Sequence, residues 1–567
     1  MREIGGQGPG GGADVPILAA PPPDSMLTVL LVLATLVALW RIGRRTRYFL
    51  HVAQLDGYKA HEVAAWIGAR TGTHVLRRSH LAGLAVVVAG WAVALGGWPR
   101  TGAGLAAGLW TVAFASSRLY RSDRPKKPLA WTARMRRLGV AAALLAALPL
   151  VVAAIAGGGR GAAGALTWLT ALLVADFFAP YVVYLALRLT QPIETHIQEG
   201  FKDQARARIA ARRDLTVVAI TGSYGKTSTK AVVAELLGQR LNVLATQGSY
   251  NTPNGIALTV NNRLRDAHQV LVLEMGMRYA GDIRELCEIV RPDIAIVTSV
   301  GVAHLETMGT IEAIAREKGS LLREMTPGGT AILNGDDPRV TTMTGRESRA
   351  LRVSLDPDSD ADFVATDVRY DASGMTMTVR EAATGETATL TTRLLGAHNA
   401  TNVLLGVAVG RALGLRLRAL AAAATRLTPV AHRLALREEN GITVLDDAFN
   451  SNPVGAKGAL EVLGQMAGGG TTGRRVVVTP GMVELGERQE LENRAFGREM
   501  ARHADLAVLV GPRQTAPIRA GLADAGFPDE KVVVVRSLFE ARDFLATWQR
   551  PGDAVLYEND LPDQYAE

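Results

Sequence analysis

The chain has 567 residues, with 62 Lys and Arg against 54 Asp and Glu, a formal net charge of +8 and 48% hydrophobic residues. That length implies several domains, and the single cysteine, Cys287, excludes an internal disulfide and a cysteine-based metal cluster. The basic excess does not point to nucleic acid, because much of it lies before residue 215 between apolar runs, as in loops that flank membrane helices.

In chain order, residues 1–25 are rich in Gly and Pro and read as a disordered N-terminus. Apolar stretches follow at 26–40, 80–98, 102–117, 138–156 and 163–187, and they predict about five transmembrane helices over 26–190. Positive charge (Arg41, Arg44, Arg45, Arg47) follows the first stretch instead of preceding it, which argues against a cleaved signal peptide. Basic residues crowd the loops 41–79 and 118–137, whereas the intervening turns hold only Arg100 and Arg160. By the positive-inside rule both basic loops are cytoplasmic, so the chain is expected to be a multi-pass protein of the cytoplasmic membrane with everything after 190 inside. Asp176 is almost the only ionisable residue in these runs, so membrane anchoring or contact with a lipid-borne substrate fits better than a transport path.

Residues 191–214 predict a polar amphipathic linker helix. From 215 to 430, β-rich runs such as VVAI, QVLVLEMG and DIAIVTSVG alternate with helical patterns, with an antiparallel insertion at 361–395. Residues 431–567 repeat the alternation through ITVLDDA, RRVVVTPG, LAVLVG, KVVVVR and DAVLYEN. The expected fold is multi-domain: an N-terminal α-helical transmembrane domain, an α/β P-loop ATPase domain with a parallel sheet, and a C-terminal Rossmann-like α/β domain.

The stretch VVAITGSYGKTSTK, residues 217–230, carries the chemistry. Strand, glycine turn, Gly225-Lys226-Thr227 and helix form the layout of a phosphate-binding loop, in which backbone N–H groups and a helix N-terminus cradle phosphates. Gly222, Ser223, Gly225, Lys226, Thr227 and Ser228 are therefore candidate nucleotide contacts, with Thr227 a candidate Mg²⁺ ligand. The loop is shortened: Ile220 stands five before Gly225, and the available glycine is Gly222. Glu274 ends the strand QVLVLE, and His304 follows the strand DIAIVTSVG, both at the strand ends where such sheets bind ligands. Lys318 lies on a helix. Only nine of the 62 Lys and Arg residues are Lys, which adds weight to each lysine in a candidate site. Asn399 and Asn402 in GAHNATN suit either an adenine edge or a helix cap. Arg433 opens the last domain, followed by DDAFNSNP from Asp446 to Pro453.

TGSYGKTSTK, LEMGMRYAGDI, TSVGVAHLETMGTIEAIAREKG, NGDD, GAHNATN, HR and DDAFNSNP occur in the order seen in the Mur ligases, and the chain resembles that family over about 215–510. It looks most like the branch that adds D-alanyl-D-alanine to a muramoyl tripeptide, and the shortened loop is that family's own form. The resemblance implies an ATP-dependent amide ligase of bacteria working through an acyl phosphate. Lys226 would bind the β- and γ-phosphates, and Thr227, Glu274 and His304 would serve two Mg²⁺ ions. Lys318 falls on a carbamylated lysine, Asn399 would contact adenine, Arg433 the γ-phosphate, and Asp447 the closing interface between domains. Two departures stand out. A membrane domain replaces the usual N-terminal domain, and LYENDLPDQYAE replaces a Lys-Gly-Ser segment after the last strand. The expected partners are a small-molecule or lipid-linked cell-wall precursor and membrane lipid, with no nucleic acid; the sequence does not address oligomeric state. The rival readings are an amide ligase of the same superfamily on a polyglutamate or folate-like substrate and a non-catalytic scaffold regulating wall synthesis.

Overall fold

The computed structural model describes residues 24–115, 128–371, 374–449, 451–466, 473–483 and 485–560. The expected disordered segment 1–25 and part of the basic loop 118–137 thus fall largely outside the described residues. The chain divides into two compact units at Ile197/Gln198.

The first unit is helical: α1 Asp24–Leu55, α2 Ala60–Ala69, α3 Arg78–Leu95, α4 Pro99–Ala115, α5 Ala133–Gly157, α6 Gly161–Phe177 and α7 Ala179–Ala210. Among the described residues α1, α3 and α5 are long and apolar enough to cross a membrane, and α6 with α7 makes a fourth candidate if the bent pair counts as one span. The expected span 102–117 falls on α4 up to Ala115, its last two residues lying outside the described residues, and the 17 residues of α4 are at the lower limit for crossing. The expected span 163–187 is broken: α6 and α7 meet at 65°. Pro180 explains the break, because its ring and missing N–H prevent α6 from continuing through it. The linker predicted over 191–214 is no separate helix; it is the last part of α7, which runs through Pro192 to Ala210.

Apolar side chains face outward on α1, α3 and α5, among them Leu36 (60% exposed), Val88 (58%) and Leu144 (69%). Helices α3 and α4 approach closely through Gly90 and Gly102, where a side chain on Gly102 would meet the Gly90 carbonyl. Arg41 and Arg45 are not in a solvated loop, as the charge pattern suggested, but on α1 and fully buried. Arg41 Nε lies 2.8 Å from Asp176 Oδ2, Arg45 Nε 3.5 Å from Oδ1, and His80 Nε2 2.9 Å from Oδ2. His80 Nδ1 accepts from the Arg77 N–H, so its Nε2 is the nitrogen that donates to Asp176.

The second unit opens with a nine-stranded sheet ordered β2-β3-β1-β4-β5-β6-β7-β8-β9. Its strands are β1 Thr216–Thr221, β2 Val243–Ala245, β3 Val270–Glu274, β4 Ile294–Val297, β5 Thr330–Asn334, β6 Arg349–Ser354, β7 Phe363–Asp371, β8 Gly374–Glu381 and β9 Thr387–Thr392. Pairing is parallel up to β7, and β7, β8 and β9 are antiparallel, as the alternation at 361–395 predicts. The central strands β1, β3 and β4 are largely apolar because helices cover both faces. The helices are α8 Lys226–Gly238, α9 Pro253–Arg263, α10 Asp282–Ile289, α11 Leu305–Met308, α12 Ile311–Glu324, α13 Pro338–Thr341, α14 Ala397–Ala412 and α15 Leu417–Ala424.

The C-terminal sheet is ordered β10-β11-β15-β12-β13-β14. It comprises β10 Ala435–Glu439, β11 Ile442–Asp447, β12 Arg475–Thr479, β13 Leu506–Val510, β14 Val532–Val535 and β15 Ala554–Glu558. Only β10 is antiparallel to its neighbour. Helices α16 Pro453–Met466, α17 Gln489–His503, α18 Ala516–Asp524 and α19 Leu538–Trp548 complete a doubly covered α/β layer.

Replacing Asp176 by Ala leaves two buried guanidiniums without the carboxylate between them. A destabilisation of about 3–5 kcal/mol is expected, read as a lowered melting temperature of the full chain in detergent, with Asp176→Asn less damaging.

Candidate functional site

In the first sheet β1 lies between β3 and β4, so the crevice at its carboxyl end is flanked by connections that leave in opposite directions. The turn from Gly222 to Gly225 fills this crevice. Gly222 has φ 152° and Gly225 φ 80°, both in the region that favours glycine. A methyl at Gly222 would overlap Thr298 Oγ1, and one at Gly225 would sit 2.7 Å from Asn402 Oδ1. Ser223 N–H donates to Ser299 O at 2.8 Å, Tyr224 N–H to Ser299 Oγ at 3.1 Å, and Ser223 Oγ accepts from Gly301 N–H at 2.8 Å. The segment after β4 therefore buttresses the loop. The N–H groups of Gly225, Lys226, Thr227 and Ser228 have no acceptor among the described residues and sit at the positive end of α8. That is a cradle for an anion.

Glu274 closes one side. It ends β3 opposite Ile220, is 1% exposed, and its carboxylate is fully engaged. Oε2 accepts from Thr227 Oγ1 and from Lys230 Nζ, each at 3.0 Å, and Oε1 from Asn251 Nδ2 at 3.1 Å. Lys226 Nζ donates to Gly222 O at 2.6 Å. Burial lowers its pKa to about 8, with Arg433 pushing the same way and Glu274 opposing.

His304 holds φ 67° ahead of the short α11. Burial, then Lys226 and Lys318, depress its imidazole to about 3, so the ring is neutral and able to offer a lone pair. Lys318 on α12 is 1% exposed, with no hydrogen bond or ion pair among the described residues. Burial and then Lys226 hold it well below the ordinary lysine value. Its neighbour Glu317 instead accepts from the Gly281 and Ile283 N–H groups.

Asn399 lines a cavity of about 210 Å³ with Ser228, Glu235, Arg426, Pro429 and Arg433. Its Nδ2 donates to Leu395 O and its Oδ1 accepts from Asn402 Nδ2, so both amide ends are engaged within the protein. Asn402 does not line the cavity; its Oδ1 accepts from Thr229 Oγ1 and supports the loop beneath Gly225. Arg433 stacks on Phe449 at 4.3 Å and is influenced by both Asp447 and Glu274. Asp447, at the end of β11, accepts from the Leu434 N–H at 3.0 Å. The fold thus brings Lys226, Thr227, Glu274, His304, Lys318, Arg433 and Asp447 into one electrostatically connected group. Sequence reading did not assign Lys230, Asn251, Thr298 or Phe449. Lys230 was legible one helical turn beyond Lys226, whereas the others meet the site only through the fold.

Among the described residues no group of three His, Cys, Asp or Glu could hold a metal alone. The chemistry present fits Mg²⁺ arriving with a nucleotide, since that ion takes one or two protein oxygens plus phosphates and water. Glu274 and Thr227 are such donors beside the anion cradle.

Gly222→Ala is expected to abolish stabilisation by Mg-ADP in a thermal-shift titration, since its methyl meets Thr298 and its φ is strained. For His304 the folded pKa of about 3 lies below the ordinary 6.5, so its contribution is present above pH 6.5 and is lost as pH falls toward 3. His304→Asn, which tolerates the left-handed backbone, should flatten the acid limb of urea stability by up to ~1.4 kcal/mol per pH unit.

Two family models match the chain: the Mur ligase middle domain over residues 220–410 and the Mur ligase glutamate ligase domain over residues 432–557. The UDP-N-acetylmuramoyl-tripeptide–D-alanyl-D-alanine ligase of Mycobacterium tuberculosis is 35% identical over 361 residues, covering 60% of this chain and 70% of that protein. The enzyme of the same name from Escherichia coli is 31% identical over 335 residues, covering 58% and 71%. The crystal structure of the MurF ligase of Thermotoga maritima in complex with ADP superposes with a TM-score of 0.56 at 26% identity, covering 64% of this chain and 80% of that one. With the loop, the two α/β layers and these matches in agreement, the chain belongs to the Mur ligase family of ATP-dependent acid–amino acid ligases.

Proposed function

We propose that this chain is a membrane-anchored peptide ligase that extends a muramoyl-peptide cell-wall precursor at the cytoplasmic face of the bacterial membrane. D-alanyl-D-alanine or another amino compound is its acceptor. The observation that carries the reading is the run of mutually influencing groups Lys318, Lys226, Glu274, Arg433 and Asp447 around an anion cradle, which joins the nucleotide loop to the C-terminal domain. The substrate carboxylate attacks the γ-phosphate of ATP, giving an acyl phosphate and ADP. The acceptor amine then displaces phosphate to form the amide. Lys226 and Arg433 bear on the transferring phosphoryl group, and the cradle N–H groups hold the remaining phosphates. Ser228 and Asn399 line the cavity suited to the nucleoside.

Thr227, Glu274 and His304 would serve the Mg²⁺ ions, which would supply charge neutralisation at the phosphates. Lys318, as a carbamate, would contribute a carboxylate to a second ion. Its support is a buried amine, without a hydrogen bond or ion pair among the described residues, that burial and Lys226 push toward the neutral form, the form that adds CO₂; a guanidinium does not deprotonate in proteins.

The anchoring reading rests on the outward apolar faces of α1, α3 and α5, which suit lipid and not water. With α4 also spanning and α6–α7 as the last crossing, the basic loops share the cytoplasmic side with the ATP unit. A precursor carried on lipid would then meet the enzyme in two dimensions.

The test is ATP-dependent ligation by the full chain in lipid nanodiscs, against UDP-linked and lipid-linked muramoyl tripeptides. Preference for the UDP-linked donor would remove the lipid-linked part of the proposal. Lys226→Ala should lower the rate at least about 100-fold. Lys318→Arg, which keeps a long basic side chain but cannot form a carbamate, should lose activity as Lys318→Ala does, and ¹³C-bicarbonate NMR should show a carbamate signal in the parent chain alone.

A further inference from the structure

In the first unit, α5, α6 and the start of α7 surround a cavity of about 670 Å³, whose lining includes Pro149, Val152, Ala171, Tyr181 and Leu185. Helix α5 is tied to its neighbours on both sides of it. Just past Ala156, which lines the cavity, α5 meets α6 so closely that a methyl on Gly164 would overlap the Gly157 carbonyl. Toward its other end, Arg137 of α5 donates twice to the Glu194 carboxylate of α7, at 2.6 and 2.9 Å. Between these ties the slot is open sideways, with Leu148, Val152 and Leu185 59%, 57% and 45% exposed. Its walls are apolar. Thr167 and Thr170 donate to the Ala163 and Leu166 carbonyls of their own helix, and Trp91 Nε1 donates to Thr170 Oγ1. A single charge continues the lining. Tyr181, Leu185 and Arg188 follow one another at helical spacing on α7, and Arg188 is exposed with no hydrogen bond or ion pair among the described residues.

We propose that this slot seats the hydrocarbon chain of a single-chain, phosphate-headed carrier lipid with Arg188 at the phosphate, an inference that rests on the lipid-linked reading above and deepens it. A chain passing from the bilayer into the slot exchanges one hydrocarbon surrounding for another, so apolar burial by itself gives little preference. Selection falls instead to the shape of the slot and to charge. One slot takes one chain, which sets a single-chain lipid apart from the diacyl lipids around it. Arg188 is the first charged residue after Asp176, at the point where the apolar run ends. A guanidinium there reaches the interface and meets a phosphate through two parallel N–H donors.

The experiment photolabels the full chain in lipid nanodiscs, without nucleotide, using a polyprenyl phosphate that carries a diazirine near the end of its chain, and maps the adducts by mass spectrometry. Adducts should concentrate on the slot residues of α5, α6 and α7. Unlabelled polyprenyl phosphate should displace the probe about tenfold better than the polyprenol without phosphate, and about tenfold better than phosphatidylglycerol. Val152→Trp, which fills the slot from a half-exposed position, should cut labelling about fivefold, while Val88→Trp on the outward face of α3 leaves it unchanged. Val152→Phe takes its place if the Trp variant does not assemble. Arg188→Gln should erase the advantage of the phosphate and leave competition by the polyprenol as in the parent. Adducts spread evenly over the outward faces of α1, α3 and α5 mark ordinary bilayer contact and overturn the proposal. Equal displacement by phosphatidylglycerol also overturns it, as does labelling that neither the slot variant nor Arg188→Gln changes. The ligase reading fails separately: selective labelling with preference for a UDP-linked donor leaves the slot standing and removes its substrate role, whereas even labelling with preference for a lipid-linked donor removes the slot alone.

Discussion

A carboxylate taken out of water must be met by donors on every side, and Glu274 imposes that constraint on the whole nucleotide site. Its two oxygens gather Thr227 and Lys230 from the first turns of α8 and Asn251 from the segment before α9. Its own N–H donates to Thr246 Oγ1. One side chain thereby fixes the start of α8 against β3, and the start of α8 fixes the turn from Gly222 to Gly225. The buttress from Thr298 and Ser299 works from the other flank. The cradle's shape follows from these two restraints.

Around that carboxylate the fold concentrates positive groups and removes their water. Lys226, Lys318 and Arg433 are each held below their ordinary pKa, first by burial, with Arg433 pushing Lys226 and Lys226 pushing Lys318 further down. Such a cluster is costly in isolation and is relieved by a polyanion, so charge complementarity and nucleotide recognition are one property. In the C-terminal sheet the register instead sets two carboxyls, Asp447 and Glu558, side by side, and burial raises both above the usual carboxylate range.

The nucleotide loop was legible because its signal is local: strand, two glycines, Lys-Thr and helix lie within fourteen consecutive residues. Glu274 and His304 were legible through a rule about strand ends. The Asp447–Glu558 juxtaposition was not, since parallel register joins residues far apart in sequence and no local pattern states register. Composition alone did not show the bend in the last apolar run: FFAP carries a break at Pro180 within a stretch apolar enough to read as one straight span. Likewise Arg41 and Arg45 looked like loop charges until Asp176, on a distant helix, supplied their burial partner. Asn402 was read as a ligand contact, while its amide is occupied with Thr229 and Asn399.

The scarcity of lysine gives the site a chemical signature. Of nine lysines, three (Lys226, Lys230 and Lys318) lie in the nucleotide site, where a rigid guanidinium replaces neither a compact ammonium nor a neutral amine. The other six lysines stand outside the site, so a general amine reagent meets competitors there, and discrimination falls to the surroundings: burial lowers the Lys226 pKa to about 8 beside the phosphate cradle. A nucleotide analogue bearing a mild electrophile at its terminal phosphate would thus mark this pocket by joining phosphate recognition to a lowered amine.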